Sequence, residues 1–128
     1  MDYTIKNLRE VDDAAAEAGV SDSLEARFAH EDLGTDLMGL SYQVVKAGKR
    51  QPFPHKHGEM EEIYVVVSGN GRIKVDDAIE EIGPLDAIRV APSPTRAFEA
   101  ADGEDLVLLA FSPRAAGDAE IVKDFSWD

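Results

Sequence analysis

Two histidines, His55 and His57, are separated by one residue and followed by Glu62, which opens a dense β-branched segment. Alternate side chains of an extended strand share one face, so we expect both imidazoles on the same side of a sheet. Two imidazoles and a carboxylate that converge inside a sheet are the ligands of a 2-His-1-carboxylate metal site. The segment therefore predicts a β-rich fold with a candidate metal site in its interior.

The strand that begins at Glu62 is followed by Gly69, Asn70 and Gly71. Glycine and asparagine at this position predict a hairpin turn, here into a strand at 72–75. Other short apolar segments bounded by turn residues are predicted as strands at 24–30, 37–47, 79–83, 86–91, 96–100 and 106–111. Short strands at close spacing indicate an all-β sandwich or barrel and not βαβ units.

The 128 residues suit a single domain with a core of its own. We place the barrel core at 24–112. An alanine-rich stretch at 9–19 predicts a short helix, which Gly19 is well placed to end. The C-terminal tail at 113–128 ends in apolar residues that are expected to pack back onto the body.

The segment around the histidines resembles the first sequence motif of the cupins, in which glycine, His-x-His, glutamate and a second glycine follow at set intervals. Here the spacing is Gly48-x6-His55-x-His57-x4-Glu62-x6-Gly69, and only the first interval departs from the motif, by one residue. The resemblance implies a cupin double-stranded β-helix, or jelly-roll barrel. It also implies that His55, His57 and Glu62 hold a divalent metal, with Fe, Mn, Ni and Zn as the candidates.

The second cupin motif is where the chain departs from the family. That motif supplies a further histidine ligand, but Arg96 stands at the corresponding position, in the stretch 83–100. A guanidinium cannot bind a metal, and its positive charge repels one. In one interpretation Arg96 pairs with Glu62 and the metal is lost. In the other, the three remaining ligands hold the metal and Arg96 anchors a small acidic ligand above it.

Three further residues are candidates for contact with a ligand. Tyr64 lies two residues beyond Glu62 and is expected on the same face, while Gln51 and Tyr42 could line the mouth of the barrel. For each of the three, ordinary core or rim packing is the favoured explanation. Glu61 is a fallback for Glu62 as the carboxylate ligand, and His30 is the one other histidine.

Composition and charge limit the classes of partner that this chain can bind. The net charge of −13 argues against nucleic acid, which is bound by clustered Lys and Arg. The chain has no cysteine and no apolar run long enough to cross a membrane, so a cytoplasmic protein is expected. Ile63, Val65 and Val67 should face outward from the central strand and need a cover. The N-terminal segment and tail could provide it, or a second subunit, and the cupin resemblance favours a homodimer.

Three functions fit these residues. The first is a metal-dependent enzyme that acts on a small polar or acidic molecule, such as an isomerase, an oxygenase or a decarboxylase. The second is a binding module of the same fold without turnover. The third is a structural barrel in which an ion pair between Arg96 and Glu62 replaces the metal. Fold does not choose among them.

Overall fold

Alternating inward and outward residues organise the chain into ten strands in two antiparallel sheets. The computed structural model describes residues 1–128. The first sheet has the order β1 (Leu24–Phe28), β2 (Met38–Val45), β9 (Leu106–Pro113), β4 (Glu62–Ser68), β7 (Ala87–Val90). The second has the order β10 (Ala119–Ile121), β3 (His55–His57), β8 (Arg96–Ala100), β5 (Gly71–Val75), β6 (Ala78–Ile82). The prediction of an all-β jelly roll is confirmed.

The core lies between the inner faces of the two sheets. Tyr64 and Val66 of β4 are buried there against Phe98 of β8, and the Tyr64 and Phe98 rings meet edge to face at 4.8 Å. Ile63 and Val67, the alternate residues of β4, are 44% and 47% exposed on the outer face. The predicted inward and outward phase of this strand is therefore confirmed.

The predicted hairpin at Gly69 and Gly71 is wrong. β4 pairs with β7 and β9, whereas β5 pairs with β6 and β8, so the turn carries the chain from one sheet to the other. A Cβ atom at Gly69 would lie 2.0 Å from the carbonyl oxygen of Asp105, and one at Gly71 would lie 2.2 Å from that of Glu99. The glycines are needed for close approach to two neighbouring backbones.

The predicted helix at 9–19 is shorter than expected. A 3₁₀ turn at Leu8–Glu10 and the one-turn helix α1 (Ala14–Glu17) replace it. Asp13 separates the two, because its side chain accepts hydrogen bonds from the backbone N–H groups of Ala15 and Ala26 and so caps α1 while tying it to β1.

The strand predicted at 24–30 ends early, at Phe28. His30 begins a second one-turn helix, α2 (His30–Leu33), which stops at Gly34 in the left-handed conformation. None of the helices is long and apolar enough to cross a membrane.

The C-terminal tail is part of the second sheet. Its strand β10 pairs with β3, and the lysine Nζ of Lys74 on the outer face of β5 donates to the carbonyl oxygen of Ser126. Phe125 lies near Lys74, and the guanidinium groups of Arg50 and Arg72 lie 5.2 and 5.7 Å from the centre of the Trp127 ring. The tail therefore packs back onto the body, as predicted, and brings residues 114–121 beside the two histidines.

Candidate metal centre

The three predicted metal ligands come from both sheets and meet inside the barrel. His55 and His57 lie on β3 of the second sheet, and Glu62 is the first residue of β4 in the first sheet. One ligand atom from each of the three side chains lies within 4.8 Å of the others. Arg96 on β8 is directly opposite His55 in the strand register.

The ring of His55 is oriented by the backbone. Its Nδ1 lies 3.3 Å from the carbonyl oxygen of Phe53, and its Nε2 lies 3.4 Å from Oε1 of Glu62. A carbonyl oxygen only accepts hydrogen bonds, so Nδ1–H donates to it and Nε2 is the ring nitrogen that faces the carboxylate. Two electron-rich atoms face each other stably only when a proton or a metal cation lies between them.

The ring of His57 leaves both of its nitrogens without a hydrogen bond. Nε2 lies 3.0 Å from Oε1 of Glu62 and Nδ1 lies 3.3 Å from Oδ2 of Asp118, but neither contact has hydrogen-bond geometry. Burial lowers the pKa of His57 despite the opposing charge of Glu62, which disfavours a proton as the missing cation. Unpaired buried nitrogens are costly, so this donor set fits a divalent metal.

Asp118 is a neighbour of the site that the sequence analysis missed. Its carboxylate accepts the backbone N–H groups of Glu59 and Met60 at 3.0 and 2.9 Å and lies beside His57. The hydrogen bond from Met60 outweighs desolvation and lowers the pKa of Asp118, so the group is a carboxylate. Carboxylates beside metal-binding imidazoles orient the ring. The contact forms because β10 pairs with β3, which no local sequence pattern indicates.

Glu62 is the centre of the polar network. The hydroxyl of Tyr64 donates to its Oε1 at 2.5 Å, and Nε of Arg96 lies 3.7 Å from the same oxygen. Burial acts to raise the pKa of Glu62, but hydrogen bonds from His55 and Tyr64, together with the two imidazoles, lower it to about 2. Glu62 is therefore ionised. Glu61, the fallback ligand, points away from the site and pairs with Arg89 at 3.0 Å.

Arg96 takes the first of the two roles considered from the sequence only in part, because its Nε lies 3.7 Å from Oε1 of Glu62 but the two groups do not form a bidentate pair. It is fully buried, and its two terminal nitrogens donate to the carbonyl oxygens of Pro92 and Ala91 at 3.2 and 2.8 Å. A bidentate pair with Glu62 is absent because those donors are already used. The side chain also does not line the cavity described next. Arg96 is a fixed positive charge behind Glu62 and not an anchor for a ligand.

A cavity of about 500 Å³ opens onto the candidate ligands. Gln51 lines it, as proposed from the sequence, and so do Phe53 and His30. Tyr64 and Tyr42 do not. Tyr64 is 1% exposed behind Glu62. Tyr42 lies between the inward residues of β2 and so faces outward.

A row of polar side chains that the sequence analysis missed lines the cavity where Tyr42 was predicted to lie. The inward neighbours of Tyr42 on β2, Ser41 and Gln43, line the cavity. Nε2 of Gln43 donates to Oγ of Ser41, and Nε2 of Gln51 donates to Oε1 of Gln43, each at 3.1 Å. Alternation along β2 would have identified Ser41 and Gln43 if the sequence had indicated which alternate residues of this strand face inward.

Comparison with known proteins supports the architecture. No protein-family model and no curated protein matches the chain. A cupin protein from Bacteroides fragilis is 23% identical, with 98% of this chain and 92% of that chain covered and a TM-score of 0.73. The polyketide cyclase RemF from Streptomyces resistomycificus is 21% identical, with 98% and 88% covered and a TM-score of 0.76. A sugar phosphate isomerase of the cupin superfamily from Silicibacter pomeroyi is 13% identical, with 94% and 93% covered and a TM-score of 0.73. At these identities the likeness shows the fold alone.

Proposed function

We propose that this chain, which has the cupin fold, holds a divalent metal ion through His55, His57 and Glu62 and binds or converts a small molecule in the adjoining cavity. Fe, Mn, Ni and Zn all suit this mixed nitrogen and oxygen donor set. The observation that carries the proposal is the convergence of two imidazole Nε2 atoms on one ionised carboxylate oxygen, without a hydrogen bond for either nitrogen of His57.

The surrounding residues support the three ligands in different ways. The carbonyl of Phe53 and the carboxylate of Asp118 face the outer nitrogens of the two imidazoles and direct the other nitrogens inward. Tyr64 and Arg96 contact Glu62 from behind and keep its carboxylate in place. A bound divalent ion would act as a Lewis acid towards an oxygen atom of the ligand. Isomerase, oxygenase and decarboxylase chemistry are all compatible with such a centre.

A metal-free barrel is the second candidate, and the charge of Arg96 favours it. Nε of Arg96 lies 3.7 Å from Oε1 of Glu62, so the carboxylate has a buried counter-charge even without a metal ion. In this case the cavity binds a small molecule without turnover, or the barrel serves assembly alone. Metal content separates the two candidates directly.

We expect protein purified without chelator to contain divalent metal in near-stoichiometric amount, and His57→Ala to contain almost none. Asp118→Asn should keep the fold and weaken metal affinity by about 10- to 100-fold, because it removes the charge beside His57. Elemental analysis gives the metal content, and titration of the metal-free protein with Mn(II) or Ni(II), followed by thermal unfolding, gives the affinity.

Asp86→Asn is the matched control, because Asp86 also accepts a backbone N–H, from Gly83, but does not contact either histidine. It should leave metal affinity unchanged. Wild-type protein without metal, and without thermal stabilisation by Mn(II) or Ni(II), would contradict the metal site and support the metal-free barrel.

We also propose that a second copy of the chain covers the outer face of the first sheet. Neither the N-terminal segment nor the tail buries Ile63 and Val67, and partly exposed apolar residues continue across the face at Val65, Leu109 and Phe111. Sedimentation should give twice the monomer mass of 13.9 kDa. Val67→Glu should yield monomers, whereas Ile79→Glu, at an exposed position of the other sheet, should not. A monomeric wild type would refute the dimer.

A further inference from the structure

We propose that the ligand of the cavity is an uncharged, mainly apolar molecule of aromatic size that carries a hydroxyl or carbonyl oxygen. Phosphorylated and multiply anionic compounds are excluded as a class. The inference deepens the proposed function. It rests on that function in one respect, because the ligand needs an oxygen atom for the metal to bind. The choice between neutral and anionic ligands rests on the cavity wall alone.

The cavity lacks the cations that an anionic ligand needs. Arg114 is the one Lys or Arg residue on its wall. It is exposed at the mouth, where its guanidinium donates to the carbonyl oxygen of Thr35. Arg96 is fully buried and donates to two carbonyl oxygens, so it cannot reach the cavity. Phosphate sites commonly use several Arg or Lys side chains, and this wall has only one, at its mouth.

Negative charge on the cavity wall also disfavours anionic ligands. The carboxylates of Glu31 and Glu62 both line the cavity, and the chain carries a net charge of −13. The field around the mouth therefore repels anions. One anionic oxygen could still be neutralised at the metal, but a phosphate group further from it would be buried without a counter-charge.

The apolar part of the wall matches a ring system. Thirteen of the 25 residues that line the cavity are hydrophobic. Phe28 and Ile121 are 49% and 53% exposed, which leaves apolar surface available at the cavity, and Phe53 and Met60 are partly buried beside the histidines. A volume of about 500 Å³ with mostly apolar walls is typical of sites that enclose drug-sized molecules.

The polar part of the wall is neutral. Ser41, Gln43 and Gln51 are linked by hydrogen bonds, and Oε1 of Gln51 is buried without a partner in the protein. A neutral row of hydroxyl and amide groups suits a ligand with a hydroxyl or carbonyl group and offers no counter-charge to an anion. A hydroxylated aromatic molecule satisfies both the apolar wall and this row.

The test is a matched pair of probes with one ring system and different charge, 1-naphthol and 1-naphthyl phosphate. Isothermal titration should be carried out on metal-free and Mn(II)-loaded protein, with glucose 6-phosphate as a representative sugar phosphate. We expect 1-naphthol to bind at least about tenfold more tightly than either phosphate in both forms. Phe53→Ala should weaken its binding by about tenfold, because an aromatic wall is lost. Leu85→Ala, at a site 83% exposed and outside the cavity, should not change it.

Equal or tighter binding of either phosphate would overturn the proposal, as would the absence of naphthol binding or an unchanged affinity in Phe53→Ala. These results are separate from failure of the metal site. If Mn(II) does not bind but the metal-free protein still prefers 1-naphthol, the ligand class stands and the metal centre does not. If Mn(II) binds and either phosphate binds as tightly as 1-naphthol or more tightly, the metal centre stands and the proposed ligand class is wrong.

Discussion

Arg96→His is expected to tighten divalent metal binding by at least about tenfold. Arg96 is the residue of β8 opposite His55, and its side chain points into the barrel, where Nε lies 3.7 Å from Oε1 of Glu62. The substitution removes a positive charge from beside a metal ligand and offers a further imidazole at the same position in the strand. Titration of metal-free protein with Mn(II), Ni(II) and Zn(II) measures the change.

Arg96→Met separates the two contributions to that change. It removes the charge without adding a ligand, so its metal affinity should lie between those of wild type and Arg96→His. It should also lower the free energy of unfolding by about 1–3 kcal/mol, since the carbonyl oxygens of Ala91 and Pro92 lose their donors. Metal affinity in Arg96→His that does not exceed the wild-type value would refute the view that Arg96 replaces a ligand.

Glu62→Gln is expected to destabilise the metal-free protein by about 3 kcal/mol at pH 7 and to remove part of its acid sensitivity. The pKa of Glu62 is about 2 in the folded protein, against an ordinary value of 4.5. Between these values the unfolded chain binds more protons than the folded one. The stabilisation is therefore fully present above about pH 4.5 and is lost as pH falls towards 2.

Urea unfolding of wild type and Glu62→Gln in chelator, at intervals from pH 7 to pH 2, tests this expectation. The difference between the two curves should shrink steadily below pH 4.5. Glu81→Gln, an exposed carboxylate on β6, is the control and should unfold like wild type at every pH. A difference that stays constant over the whole range would show that Glu62 acts through packing and not through its charge.

The candidate metal ligands could be predicted from the sequence in part, because the geometry of the two histidines is local, whereas the approach of Glu62 joins the two sheets. His55 and His57 share a face wherever the chain is extended, and the phase of β4, which buries Tyr64 and exposes Ile63, follows from the same alternation. The candidate ligand class could not be predicted in this way. The sequence left open whether Arg96 pairs with Glu62 or anchors a ligand, whereas in the structure its guanidinium donates to two carbonyl oxygens of the segment before β8.

By itself, the sequence determined the strand content, the phase of β4 and the shared face of the two imidazoles, because these depend on residues a few positions apart. The tertiary structure alone decided that the turn at Gly69 crosses between sheets, that Tyr42 faces away from the cavity, and that Asp118 lies against His57. Each of these depends on which strands pair, and strand pairing is settled by packing across the whole barrel.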